Sequence, residues 1–244
     1  MKCLIARVAV VFSIAAFCSP SFGEEKEKTK EPVKIVKIER DRRLIDGFTV
    51  KIDRSLLYGD HEKLGQMTLR LLRADFARIE LVVPPEIVKK WREVKIIVDQ
   101  NHPLKGMQYH PSRSWLENKG YEGDLEKCVH IPKAGGYANS EHYFVQPCTM
   151  IHELAHAYHD QFLDFEHPKI KAAFARAQLE GQYKSVLFVK GGKRKHYALT
   201  NHKEYFAEAT EAWFGQNDFY PFVRGELQEH DPKLYTLFKD EIWK

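Results

Sequence analysis

The chain lacks any apolar run long enough to cross a bilayer. The longest, Val8 to Phe17, falls short of the roughly 20 apolar residues that a hydrocarbon core of about 30 Å requires, which argues against a membrane anchor. Charge of one sign is also missing: 38 Lys and Arg stand against 34 Asp and Glu. The only basic cluster, Lys193, Arg194 and Lys195, sits beside a Gly-Gly turn and reads as a solvated hairpin tip, so a nucleic-acid partner is not expected. Cysteine is scarce, four in 244 residues, and no two cysteines are spaced to build a structural zinc site. No internal repeat is visible.

What is present begins with a leader. Residues 1–23 combine Lys2 and Arg7, the apolar run and a small-residue end at Ser21 and Gly23, the pattern of a secretory signal peptide. Its removal takes away two bases and no acid, leaving 36 against 34 and a formal charge of +2, and implies a secreted or extracytoplasmic product without stable membrane insertion. Residues 24–32 are charged and nearly free of apolar side chains, as in a flexible tether. Residues 33–244 have enough apolar material for a single domain. Cys128 and Cys148 then remain, either as a disulfide, which export allows, or as two buried thiols.

Periodicity predicts an α+β fold. A strand is expected around Phe48 to Ile52, a helix from about His61 to Ala77 and a strand at Val94 to Val98. Turns and short strands follow up to Gln146, with apolar runs at Val129 to Ile131 and Tyr143 to Val145 and a turn at Ala134-Gly135-Gly136. From Pro147 helices dominate, interrupted by an expected hairpin of Val186 to Val189, Gly191-Gly192 and Lys195 to Leu199. The C-terminal aromatics, among them Phe238 and Trp243, suit packing against the rest of the domain.

The chemistry lies in PCTMIHELAHAYHDQF. Pro147 suits a helix start, and Ile151, Leu154, Ala155, Tyr158 and Phe162 form one apolar stripe. His152 and His156, off that stripe, lie about 6 Å apart along the axis and can converge on one tetrahedral ion, with Glu153 placed to take a proton from water that the ion activates. His159 lies about 10 Å along the axis from His152, too far to share the ion, which leaves it an outer or solvated role. A third ligand must come from another element. TNHKEYFAEATEAWFG offers Glu204, Glu208 and Glu211 on one face of a helix capped by Thr200 or Asn201, although Glu204 stands where a capping box would use it instead.

The segments HELAHAYHD and YALTNHKEYFAEA resemble the catalytic domain of anthrax lethal factor and its relatives, a family of gluzincin zinc peptidases. The resemblance covers about Pro147 to Gly215, roughly a third of the mature chain. It implies a zincin-like domain, with a small mixed sheet in the N-terminal half and a mainly helical C-terminal half carrying the H-E-x-x-H helix. It further implies one Zn2+ per chain held by His152, His156 and Glu204, with Glu153 as base. By the same correspondence Tyr197 assists the transition state and Glu208 orients a zinc-binding histidine. The expected activity is that of a zinc metalloendopeptidase acting on peptides or proteins. Peptide would lie along a strand edge near Val129 or Tyr143. The competing expectation is an exported zinc-binding protein without turnover.

Overall fold

A computed structural model describes residues 37–244, which fall within one unit, while the leader at 1–23 and the tether at 24–32 lie outside the described residues. The chain is mixed α and β, with a small sheet in its N-terminal half and helices in its C-terminal half. Among the described residues no helix is long and apolar enough to cross a membrane.

Strands β1 (Arg40–Ile45) and β2 (Phe48–Asp53) form an antiparallel hairpin. Its two-residue turn, Asp46-Gly47, has φ of 47° and 83°, the mirror-image geometry that Asp-Gly adopts at little cost. Along β2 the side chains alternate between buried and half-buried, so Phe48, Val50 and Ile52 share the core face. Helix α1 (Glu62–Val82) covers that face with Leu72, Phe76 and Ile79, and Phe48 stacks on Phe76 at 4.2 Å between ring centroids. Full burial of a side chain such as Phe76 stabilises by about 2 kcal/mol. The predicted helix therefore exists but continues past Ala77 to Val82, because Ile79 still reaches the core.

Helix α2 (Pro85–Trp91) returns the chain to β3 (Lys95–Val98), which lies parallel to β2. Next come β4 (Gln108–Tyr109), α3 (Arg113–Asn118) and β5 (Cys128–Ile131). The strand order is β1-β2-β3-β5-β4, with β3 and β5 parallel and β4 antiparallel to β5. Both faces are covered: Ile96 and Val98 join the main core, whereas Ile97 packs with Leu116, Leu125 and Cys128 in a smaller cluster.

Before Pro147, two of the expected segments differ in type. Ala134–Tyr137 closes a short helix, α4, rather than a plain turn, and Ser140–Val145 forms α5 rather than a strand. In α5 the Asn139 side chain accepts from the Glu141 amide and starts a helix that takes in the apolar run Tyr143 to Val145, which is too short for periodicity to distinguish the two states.

The second half consists of α6 (Thr149–Tyr158), a π-helical turn at His159–Leu163, α7 (Pro168–Glu180), the hairpin β6 (Val186–Leu187) and β7 (Lys193–Arg194), α8 (His202–Phe214), α9 (Arg224–His230) and α10 (Pro232–Leu237). Cys148 caps α6, so Pro147 lies just outside it. The hairpin is shorter than expected. Tyr197–Leu199 is a 3-10 turn, started by the Ala198 amide donating to the His196 ring. The C-terminal aromatics pack inward, with Trp243 against Phe206 and Phe214 and Phe238 against Trp213. Cys128 and Cys148 are buried free thiols rather than a disulfide. One packs under Leu116 and Leu125, whereas Sγ of the other accepts from the Gln216 amide.

Candidate metal centre

Helix α6 is apolar on most of its circumference: Met150, Ile151, Leu154, Ala155 and Ala157 are buried. That burial fixes its rotation and leaves His152 and His156 facing α8. At the start of α8, Asn201 Oδ1 accepts from the amides of Lys203 (2.9 Å) and Glu204 (3.0 Å). The cap is thus supplied by Asn201 alone, and the Glu204 carboxylate is released from the capping box to face α6.

The outcome is a nearly equilateral triangle. His152 Nε2 and His156 Nε2 are 3.1 Å apart, and Glu204 Oε2 lies 3.2 Å from each. Each ring nitrogen carries at most one proton and an ionised carboxylate oxygen carries none. Two protons at most cannot satisfy three edges with directed hydrogen bonds. A cation at the centre satisfies all three, and these edges are close to the separation of about 3.3 Å between ligands of a tetrahedral ion bound at about 2.0 Å. The donor set therefore fits a divalent metal that favours nitrogen and oxygen ligands.

On the outer side, His152 Nδ1 is 2.7 Å from Glu211 Oε1 and 3.6 Å from Glu208 Oε1. Only Glu211 is within hydrogen-bond reach. Glu208 instead accepts from Asn217 Nδ2 at 3.1 Å. The carboxylate placed to orient the histidine is thus Glu211, one turn beyond the residue that the family resemblance implied. The spacing of both along α8 is visible in sequence, but which of them meets Nδ1 depends on how α8 crosses α6. His152 Nδ1, Glu208 and Glu211 form a second, fully buried group whose ligand atoms lie within 4.8 Å of one another and which could also hold a cation.

Glu153 projects toward the sheet, and its Oε2 accepts from the Tyr109 amide at 2.7 Å. Burial pushes its carboxyl up to about 7, against the opposing pull of His152 and that amide. Glu204 is held well below the usual carboxylate range by its two histidines, which outweigh its burial. His152 is raised despite burial, by Glu204 and Glu211, while burial lowers His156.

These groups line a cleft of about 580 Å³, walled by Gly106 to Tyr109, His142, Gln146 and Thr149. Tyr197 is half-exposed on its border, and the Tyr197 phenol is raised by burial and by Glu204. His159, expected in an outer or solvated role, is fully buried against Phe165 and Phe206, with neither ring nitrogen partnered among the described residues.

The strand edge at the cleft was not found by sequence. Val129 lies in β5, paired on both sides, and Tyr143 is helical. The edge is β4, two residues long and too short for alternation to register. Tyr109 anchors it: the hydroxyl donates to Asp160 Oδ2 at 2.6 Å and accepts from Gln161 at 3.1 Å. Comparison of the chain with family models, curated proteins and solved structures returns no match.

Proposed function

We propose that this protein is an exported zinc metallopeptidase with a zincin-like fold, of the gluzincin kind that its H-E-x-x-H and downstream glutamate resemble. The observation that carries the reading is the triangle of His152, His156 and Glu204 donor atoms opening on a cleft beside Glu153. In this reading one Zn2+ is held by those three residues, and Glu211 fixes the ring of His152. When bound, zinc supplies a Lewis acid that acidifies water and polarises a carbonyl.

The remaining chemistry belongs to the chain. Glu153, next to the ligand pair and raised by its burial, takes a proton from the attacking water and passes it to the leaving amine. Tyr197 donates a hydrogen bond from its hydroxyl to the developing oxyanion, a contribution of about 3 kcal/mol. The peptide lies along the open side of β4, adding to that edge as Glu153 leaves the Tyr109 amide for the attacking water.

The test measures zinc content and hydrolysis of a broad peptide library with the parent and with Glu153→Gln. One zinc per chain in both, with cleavage by the parent alone and a loss of at least a thousandfold in the variant, supports the reading. Zinc in both without cleavage in either favours a binding protein without turnover. Absence of zinc from both rejects the site.

A further inference from the structure

Beside the metal cleft, and sharing Gly106, Met107 and His142 with it, is a second depression of about 140 Å³. Buried Ile131, Pro132 and Tyr137 supply its floor. The Tyr137 hydroxyl is already committed to Asp75, so the ring and not the phenol oxygen is available to the pocket. Exposed Lys105 and Lys133 also line it, and no carboxylate does. Neither lysine forms an ion pair or hydrogen bond through its ammonium group with the described residues.

The contrast with the neighbouring cleft is marked. There the walls carry Glu153, Glu204, Glu208 and Glu211, whereas this pocket has two cations over an apolar base. Gly106 and Met107 run directly into β4, so a peptide extended along that edge passes from one space into the other. A Cβ placed on Gly106 would meet nothing within 4 Å, so the space over that shared residue is open. A glutamate or aspartate side chain suits the pocket: its methylenes cover the floor while its carboxylate meets the lysines.

We propose that this pocket is a substrate subsite selecting an acidic side chain at one fixed position near the cleaved bond. The proposal rests on the peptidase reading and names the substrate class it takes: peptides with Asp or Glu at that position.

The experiment uses the zinc-loaded Glu153→Gln chain and fluorescent peptides that differ only in Glu, Gln or Lys at each position. Binding is followed by fluorescence anisotropy, and the parent maps cleavage of the same set. Glu at one position should bind about tenfold more tightly than Gln. The pair Lys105→Glu and Lys133→Glu should invert the preference toward Lys, while Lys105→Arg with Lys133→Arg should keep it. Equal binding of Glu and Gln peptides, a preference that survives charge reversal, or no peptide binding at all would overturn the subsite. Cleavage without acidic preference removes the subsite and leaves the peptidase reading standing. Lysine-dependent binding of acidic peptides with no cleavage rejects the peptidase reading and, with it, the substrate role, leaving only a pocket that binds acidic side chains.

Discussion

Glu208 and Glu211 are both buried glutamates on one face of α8, yet they differ in what they touch. Glu211 accepts from the outer nitrogen of His152, and Glu208 is occupied by Asn217. Glu211→Gln should therefore weaken zinc affinity by about 10- to 100-fold, and Glu208→Gln should do so less; competition against a fluorescent chelator measures both. His159 tests a different property. Burial lowers it to about 3, whereas an unfolded chain titrates near 6.5, so protons bind the unfolded state preferentially between those values. Its stability contribution is complete above about pH 6.5 and declines as pH falls toward 3. His159→Phe keeps an aromatic ring there and removes that proton linkage. Its stability relative to the parent should rise by about 2 kcal/mol between pH 7.5 and pH 5, read from urea unfolding at each pH. His152, Glu153 and His156 were legible in sequence because one helix carries all three at fixed spacing. Tyr109 was not, since its role lies in a backbone amide, which every residue but proline also has.

At the scale of elements, the metal centre depends on where α8 begins. Asn201 closes the helix through two amides and so determines the turn on which Glu204 stands. Asn201→Ala should cost about 1 kcal/mol in urea unfolding, and Asn201→Asp should restore most of it. α6 and α8 were readable because each carries a long apolar pattern and a start signal. The shorter pieces were not. α5 and the 3-10 turn at Tyr197–Leu199 are decided by single side-chain caps, Asn139 and His196, against apolar runs that suit a strand equally well. β1 was also missed, although the Asp46-Gly47 turn that creates it is a strong local mark.

For the molecule as a whole, sequence pattern was enough for the division into a sheet-bearing first half and a helical second half. Strand order was beyond it, because β4 precedes β5 in the chain yet lies outside it in the sheet. Among the described residues that order leaves two open edges, each of which could nucleate association with another chain. Along β1 the edge carries Asp41, Arg42 and Arg43, and a foreign strand would have to approach a row of charge. Along β4 the defence is of another kind: the edge lasts two residues, and the Tyr109 amide is already occupied by Glu153. The residue proposed to perform the chemistry thus also keeps the sheet from growing, and only a strand able to displace a carboxylate from that amide can extend it.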